Sequence, residues 1–283
     1  MYPDPYDLGA ALVTLSDRKL LREKLLAACD SLDGLTDGIL HNPNACDFDP
    51  TELTCAQGQE DGCLGEEKVA AIKMVYDGPT NDEGSLFFGF PFGAEDIEQN
   101  GWGSWLTGGA AQGVPNAAYA FGTGIMRNFV HHDPSWTHDT TDWNAYPDRI
   151  RPIASVLDAR STDLSEFRAQ GGKLLMYHGW ADVALTAHMS TDYIEKVYSA
   201  DTTARDDAKL FMMPGVLHCA GGPGPSVVNW LAALESWHAT GDAPDELAAS
   251  YPDKAGARKI CAWPRQAVYD GGDSESPESF TCR

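Results

Sequence analysis

Lys173-Leu174-Leu175-Met176-Tyr177-His178-Gly179-Trp180-Ala181-Asp182 is the stretch on which the fold of this chain turns. An apolar run of this length, closed by glycine, predicts a strand buried in a parallel sheet. The pattern returns at Lys209-Leu210-Phe211-Met212-Met213-Pro214-Gly215, which leads into Val216-Leu217-His218-Cys219. Between the two runs, residues 188–199 (HMSTDYIEKVYS) predict a helix. After Gly221-Gly222-Pro223-Gly224-Pro225, residues 226–239 (SVVNWLAALESWHA) predict another, stopped by Gly241. Strand, helix, strand and helix with short connections imply βαβ units and the α/β class.

In open parallel sheets, chemistry gathers at the carboxyl ends of the strands. Here one tip carries Asp182 and the next carries His218. Asp before His matches the last two members of the Ser…Asp…His order of an α/β-hydrolase, where the histidine takes the nucleophile's proton and the acid fixes its tautomer. Spacing alone gives equal weight to an Asp182 that caps the following helix and a His218 that is an ordinary loop histidine. The strand-to-helix element Gly-x-Ser-x-Gly does not occur in the sequence. Ser104, in Gly103-Ser104-Trp105, follows no strand and reads as structural.

Upstream, residues 17–28 and 66–76 predict amphipathic helices. Between Lys24 and Lys68 there is no Lys or Arg, while ten Asp or Glu accumulate. Asp30, Asp33 and Asp37 fall in a glycine-punctuated turn, which is either a hard-oxygen site suited to calcium or a solvated acidic turn. Residues 77–170 are rich in Gly, Pro and aromatics without a clear period, and predict an irregular lid. Phe87, Phe88, Phe90, Phe92, Trp102 and Trp105 either line a pocket for a phenolic ring or form the lid's own core. His131, His132 and His138 read as a solvated loop, and Trp230, Leu234 and Trp237 as helix packing.

Composition narrows the function classes. The 283 residues hold 42 Asp+Glu against 20 Lys+Arg, a formal charge of −22, which argues against nucleic-acid and anionic-membrane partners. No apolar run is long enough to span a bilayer. Seven cysteines lack the close pairs of zinc sites, so disulfides and an oxidising compartment are the better reading. The opening Met1-Tyr2-Pro3-Asp4-Pro5 carries no export signal, which such a chain would need.

The run Cys29-Asp30-x-x-Asp33-Gly34-x-x-Asp37-Gly38, with Pro43 and Cys46 following, resembles the tannase and feruloyl esterase family. So do His178-Gly179-Trp180-Ala181-Asp182, Pro214-Gly215-x-x-His218-Cys219-x-Gly221-Gly222-Pro223-Gly224 and the terminal Cys261…Cys282. The resemblance implies an α/β-hydrolase core interrupted by a large irregular lid. Residues 1–44 would be part of the hydrolase core leading into a calcium loop, 45–169 would be the lid, and 170–283 the acid- and histidine-bearing C-terminal part of the core. It implies Ca2+ held by the Asp30, Asp33 and Asp37 side chains and the Leu35 and Ile39 carbonyls. Asp182 and His218 would be triad acid and base. Cys29–Cys46, Cys55–Cys63 and Cys261–Cys282 would be disulfides. Cys219 would pair, in the family, with the cysteine before the nucleophilic serine, and has no such partner here.

The expectation is therefore a secreted serine-type carboxylic ester hydrolase acting on small phenolic esters of feruloyl or galloyl type, of plant cell-wall or tannin origin. Its serine would lie upstream of this chain, which alone would be inactive. The alternative is a non-catalytic, calcium-stabilised binding or structural module. Val183 stands where the family commonly has proline, and Leu185 faces either a substrate or the core.

Overall fold

The structure is a computed structural model and describes residues 12–108, 114–138 and 141–283; the opening residues read for an export signal lie outside the described residues. In chain order the regular elements are α1 (Leu15–Cys29), α2 (Glu66–Asp77), β1 (Thr80–Asn81), β2 (Gly84–Ser85), α3 (Ala117–Ile125), α4 (Tyr146–Leu157), α5 (Ser165–Ala169), β3 (Leu174–Gly179), α6 (His188–Ala200), β4 (Ala208–Met213), α7 (Trp230–Thr240), β5 (Glu246–Ser250), β6 (Ala257–Cys261), β7 (Ala267–Tyr269) and β8 (Phe280–Cys282). Two compact units emerge. The first comprises residues 1–21, 50–90 and 95–160; the second comprises 22–49, 91–94 and 161–283. Relative to the expected limits of 44/45 and 169/170, residues 12–21 fall with the first unit, 45–49 and 91–94 fall with the second, and the second resumes at 161.

In the second unit, β3 and β4 pair in parallel from Leu174↔Ala208 to Gly179↔Met213. Alternation along β4 sends side chains to both faces, as a doubly covered strand requires. Leu210 and Met212 join Trp180, Ile194, Val197 and Tyr198 beneath α6. Phe211 and Met213 join Val216, Ala249, Ile260 and Ala262 on the other side. Burying a side chain such as Phe211 contributes roughly 1.5–3 kcal/mol. Among the described residues β3 pairs only with β4, and its Tyr177 remains 48% exposed.

Beyond β4 lie two antiparallel pairs, β5–β6 and β7–β8, with the Cys261–Cys282 disulfide joining β6 to β8. The helix expected over 226–239 begins only at Trp230, because Asn229 caps it by accepting from the Ala232 N–H at 3.1 Å. Val227 instead bridges Ser250 as an isolated extended contact. The helix ends at Gly241 in the left-handed region, as expected. Trp237 is buried in the helix interior face, while Trp230 stacks on Tyr177 at 4.5 Å.

Among the described residues the first unit has little sheet: the two-residue strands β1 and β2 and an isolated bridge between Thr54 and Leu64. Side chains cap the starts of α1 and α3, while α2 and α4 begin after Gly65 and Ala145 without one. The Thr14 N–H donates to Asp17 at 2.7 Å and the Asp17 N–H to the Thr14 hydroxyl at 3.3 Å, a reciprocal capping box. Asn116 accepts from the Tyr119 N–H at 2.9 Å at the start of α3. At the centre lies Trp102, 0% exposed, with the Tyr76 ring 5.5 Å away. The lid aromatics do not act as one group. Trp102 is core, Phe87 and Phe88 are exposed against one another, and Trp105 stacks on Phe121. Phe92 belongs to the second unit, edge-on to Phe48 at 6.2 Å. Among the described residues, no helix is long and apolar enough to cross a membrane.

Candidate active site

The tips of β3 and β4 are locked together before any side chain is considered. Past the last ladder pair, the Trp180 N–H donates to the Met213 carbonyl at 2.9 Å and the Ala181 N–H to the Val216 carbonyl at 3.0 Å. Gly179 makes this approach possible, since a Cβ there would sit 2.2 Å from the Val216 oxygen. Asp182 and His218 therefore leave two loops whose backbones are hydrogen-bonded to each other.

The side chains then meet. His218 Nδ1 lies 2.9 Å from Asp182 Oδ2. Asp182 is 3% exposed, whereas a third of the His218 side chain is open to solvent. The other carboxylate oxygen, Oδ1, accepts from the Ala184 N–H at 2.8 Å and the Leu185 N–H at 2.9 Å. Asp182 thus closes its own turn and faces the histidine; it does not cap the following helix, which begins at His188 after Ala187 without a side-chain cap. Burial alone would raise its carboxyl. Hydrogen bonds from His178, the Leu185 N–H, His218 and the Ala184 N–H outweigh that and hold it below the ordinary carboxylate range. An ionised acceptor at Oδ2 requires a proton on His218 Nδ1, so Nε2 is the nitrogen that exchanges a proton.

A third polar residue, to which the sequence reading gave no role, completes the group. His178 Nε2 lies 3.3 Å from Asp182 Oδ2 and 3.0 Å from the Leu185 carbonyl, and its Nδ1 lies 2.7 Å from the Ser190 hydroxyl. The signal was present in the sequence as an imidazole at the end of the strand, four residues before the acid. Together these residues line an open cavity of about 310 Å³, walled also by Tyr177, Met189, Val216 and Leu217. Leu185 is 52% exposed in that wall rather than in the core, while Val183 is buried. Ser104 belongs to the first unit, where its hydroxyl accepts from the Asn100 N–H at 3.0 Å, a structural contact.

All three expected disulfides are formed: Cys29–Cys46, Cys55–Cys63 and Cys261–Cys282. Cys219 is a free, exposed thiol whose backbone sits at φ 65°.

In the acidic turn each carboxylate braces its own loop. Asp30 accepts from the Gly38 N–H, Asp33 from the Leu35 N–H and Asp37 from the Ile39 N–H, all at 3.0 Å. Asp37 also pairs with the buried Arg258 at 2.6 Å. Among the described residues, no three His, Cys, Asp or Glu side chains are grouped as a metal-holding cluster. Two features nonetheless suit a hard cation. Asp33 Oδ2 is buried without a hydrogen-bond donor, and burial pushes the Asp33 carboxyl up. The three carboxylates and the loop carbonyls are hard oxygen ligands, the chemistry calcium prefers, though His41 Nδ1 lies 3.4 Å from Asp33 Oδ2 and Arg258 holds Asp37.

The profile of the family described as "Tannase and feruloyl esterase" matches residues 6–283. The chain belongs to the tannase and feruloyl esterase family. An uncharacterized esterase of Xanthomonas campestris pv. campestris is 31% identical, the match covering 97% of this chain and 56% of that protein. Mono(2-hydroxyethyl) terephthalate hydrolase of Piscinibacter sakaiensis is 30% identical over 94% of this chain and 51% of its own length. The chain thus spans little more than half the length of these relatives. The crystal structure of feruloyl esterase B from Aspergillus oryzae superposes with a TM-score of 0.85 at 24% identity, covering 97% of this chain and 58% of that one. This likeness shows the fold: an α/β-hydrolase-type architecture with an irregular inserted region.

Proposed function

We propose that this chain carries the acid and base of a serine-type carboxylic ester hydrolase acting on phenolic esters of feruloyl or galloyl type. The observation that carries the reading is the 2.9 Å contact between His218 Nδ1 and Asp182 Oδ2 at two neighbouring parallel strand tips. In this mechanism a serine hydroxyl attacks the ester carbonyl, and His218 Nε2 accepts its proton. The ionised Asp182 stabilises the imidazolium, and His218 then returns the proton to the departing alcohol. The serine of the proposal lies upstream of residue 1, in keeping with the Ser…Asp…His order and with the greater length of the relatives. Family membership and relatives named as feruloyl esterases support the ester class. The cavity wall of Tyr177, Leu185 and Met189 suits an aromatic acyl group.

The test is hydrolysis of methyl ferulate. The 283-residue chain alone is expected to be inactive. A longer polypeptide that includes the upstream segment is expected to turn over, and to lose about 10⁴-fold in kcat on Asp182→Asn. Turnover in the longer polypeptide that survives His218→Ala would overturn the proposal. Secretion is part of the same reading, supported by three disulfides that need an oxidising compartment.

We also propose that Ca2+ is the structural ion of the acidic turn, held by the Asp30, Asp33 and Asp37 side chains and the Leu35 and Ile39 carbonyls. The ion would neutralise the buried Asp33 carboxylate and brace the turn, with no part in the ester chemistry. Calcium added to chelator-treated protein is expected to raise the melting temperature, and Asp33→Asn to abolish the rise. An unchanged melting temperature would refute the assignment.

A further inference from the structure

We propose that His178 is a positioning residue for the triad acid, its Nε2–H holding Asp182 Oδ2 where His218 Nδ1 meets it. This deepens the esterase reading above and rests on it.

The argument begins with the tautomer. The Leu185 carbonyl, 3.0 Å from His178 Nε2, can only accept, so Nε2 carries the proton. That proton faces Asp182 Oδ2 as well, at 3.3 Å. In the neutral ring Nδ1 is then an acceptor, and the Ser190 hydroxyl donates to it at 2.7 Å. Both ring nitrogens are thereby engaged, and the ring plane is fixed by groups from two directions. Its anchor is rigid as well, since His178 is a ladder residue of β3 paired with Met212.

What the ring holds is the turn from Asp182 to Leu185. One end of that turn presents the carboxylate. The other presents the Leu185 carbonyl to His178 and the Leu185 N–H to Asp182 Oδ1. A single imidazole hydrogen therefore bridges both ends of the turn. With His178 in place, Asp182 receives two backbone N–H groups on one oxygen and two imidazoles on the other. Without it, Oδ2 keeps only His218 of its two imidazole partners, while the backbone N–H groups on Oδ1 remain. The titratable groups around the acid are His178 on β3, His218 and Cys219 on the loop after β4, and Tyr177 in the cavity wall; α6 contributes Met189 and Ser190 to that wall.

The test uses the 283-residue chain and needs no catalysis. In an NMR titration of histidine-labelled protein, the low-field Nδ1–H resonance of His218 reports its bond to the ionised Asp182. That resonance is expected to vanish in acid as Asp182 protonates. His178→Phe is expected to move the loss up by about one pH unit, a tenfold change in proton concentration. His178→Gln, whose amide N–H reaches the Nε2 position, is expected to restore it. Ser190→Ala should shift it in the same direction as Phe, by less. A folded His178→Phe variant with an unshifted titration, or a Gln variant that behaves like Phe, would overturn the inference. Should the Phe variant not fold, Ser190→Ala decides by the presence or absence of its shift. Asp182→Asn separates the two readings: if the His218 resonance ignores it, the acid–base pair itself is wrong.

Discussion

The two units of this protein hold buried polar groups in place by different means. In the second unit, Asp182 and His218 stand on loops fixed by a parallel backbone ladder and its two continuing hydrogen bonds. Position there comes from groups that every residue carries. In the first unit, fixation comes from particular side chains. Arg18 donates to the Glu95 carbonyl at 3.1 Å and to the Glu98 carboxylate, the Tyr76 hydroxyl donates to Glu95 at 3.0 Å, and Lys68 pairs with Asp17 at 2.7 Å. A ladder tolerates substitution along its length, whereas a side-chain network fails at any member.

Trp102→Ala tests that contrast most sharply. The side chain fills the centre of a unit that has almost no sheet, so its removal is expected to cost about 3–5 kcal/mol in denaturant unfolding. A cost below that of opening either disulfide would break the contrast. The disulfides come next. Cys261–Cys282 in the second unit closes 21 residues and Cys55–Cys63 in the first closes 8. Replacing each pair by alanine is expected to lower stability by about 2–4 kcal/mol. The longer loop should cost about 1 kcal/mol more, from closure entropy. Equal losses would show that native strain, not loop length, sets their worth.

The smallest effect concerns Asp207, at the start of β4. Burial would raise its carboxyl, but Lys173 and Arg168 outweigh that and hold it below the ordinary range. The folded group is thus the stronger acid. Its contribution is complete above about pH 4, the unfolded value, and is lost as pH falls through the lower folded value. Urea midpoints of Asp207→Asn and the parent chain should therefore converge on acidification. Parallel curves would remove this pair from the account of the second unit.

The same contrast explains what was legible in the sequence. β3 and α6 lie within a residue of expectation, and β4 ends two residues short of Gly215, because their signals are local apolar runs bounded by glycine or turn residues. The α7 start was read early because Pro225 and Val227-Val228 extend the apolar pattern, while the decisive event is a cap at Asn229. In the first unit, α3 contains Gly122 and Gly124 and α4 contains Pro152, residues that local propensity counts against helices. β5 to β8 are short, and are held by partners distant in sequence and by Cys261–Cys282 rather than by their own pattern. The acid and base were visible as residues at strand tips. The clamp by His178 was not, because it depends on a carbonyl and a hydroxyl whose placement only the folded chain supplies.

The division of labour within Asp182 bears on how relatives of this chain should be compared. One oxygen shapes a loop whether or not any ester is cleaved, so a homologue that had abandoned hydrolysis would still gain from an aspartate at this position. Its presence is poor testimony to activity. The imidazole at 218 is the group that would carry the proton, and its loss is the change by which a silent descendant would be told from a working one.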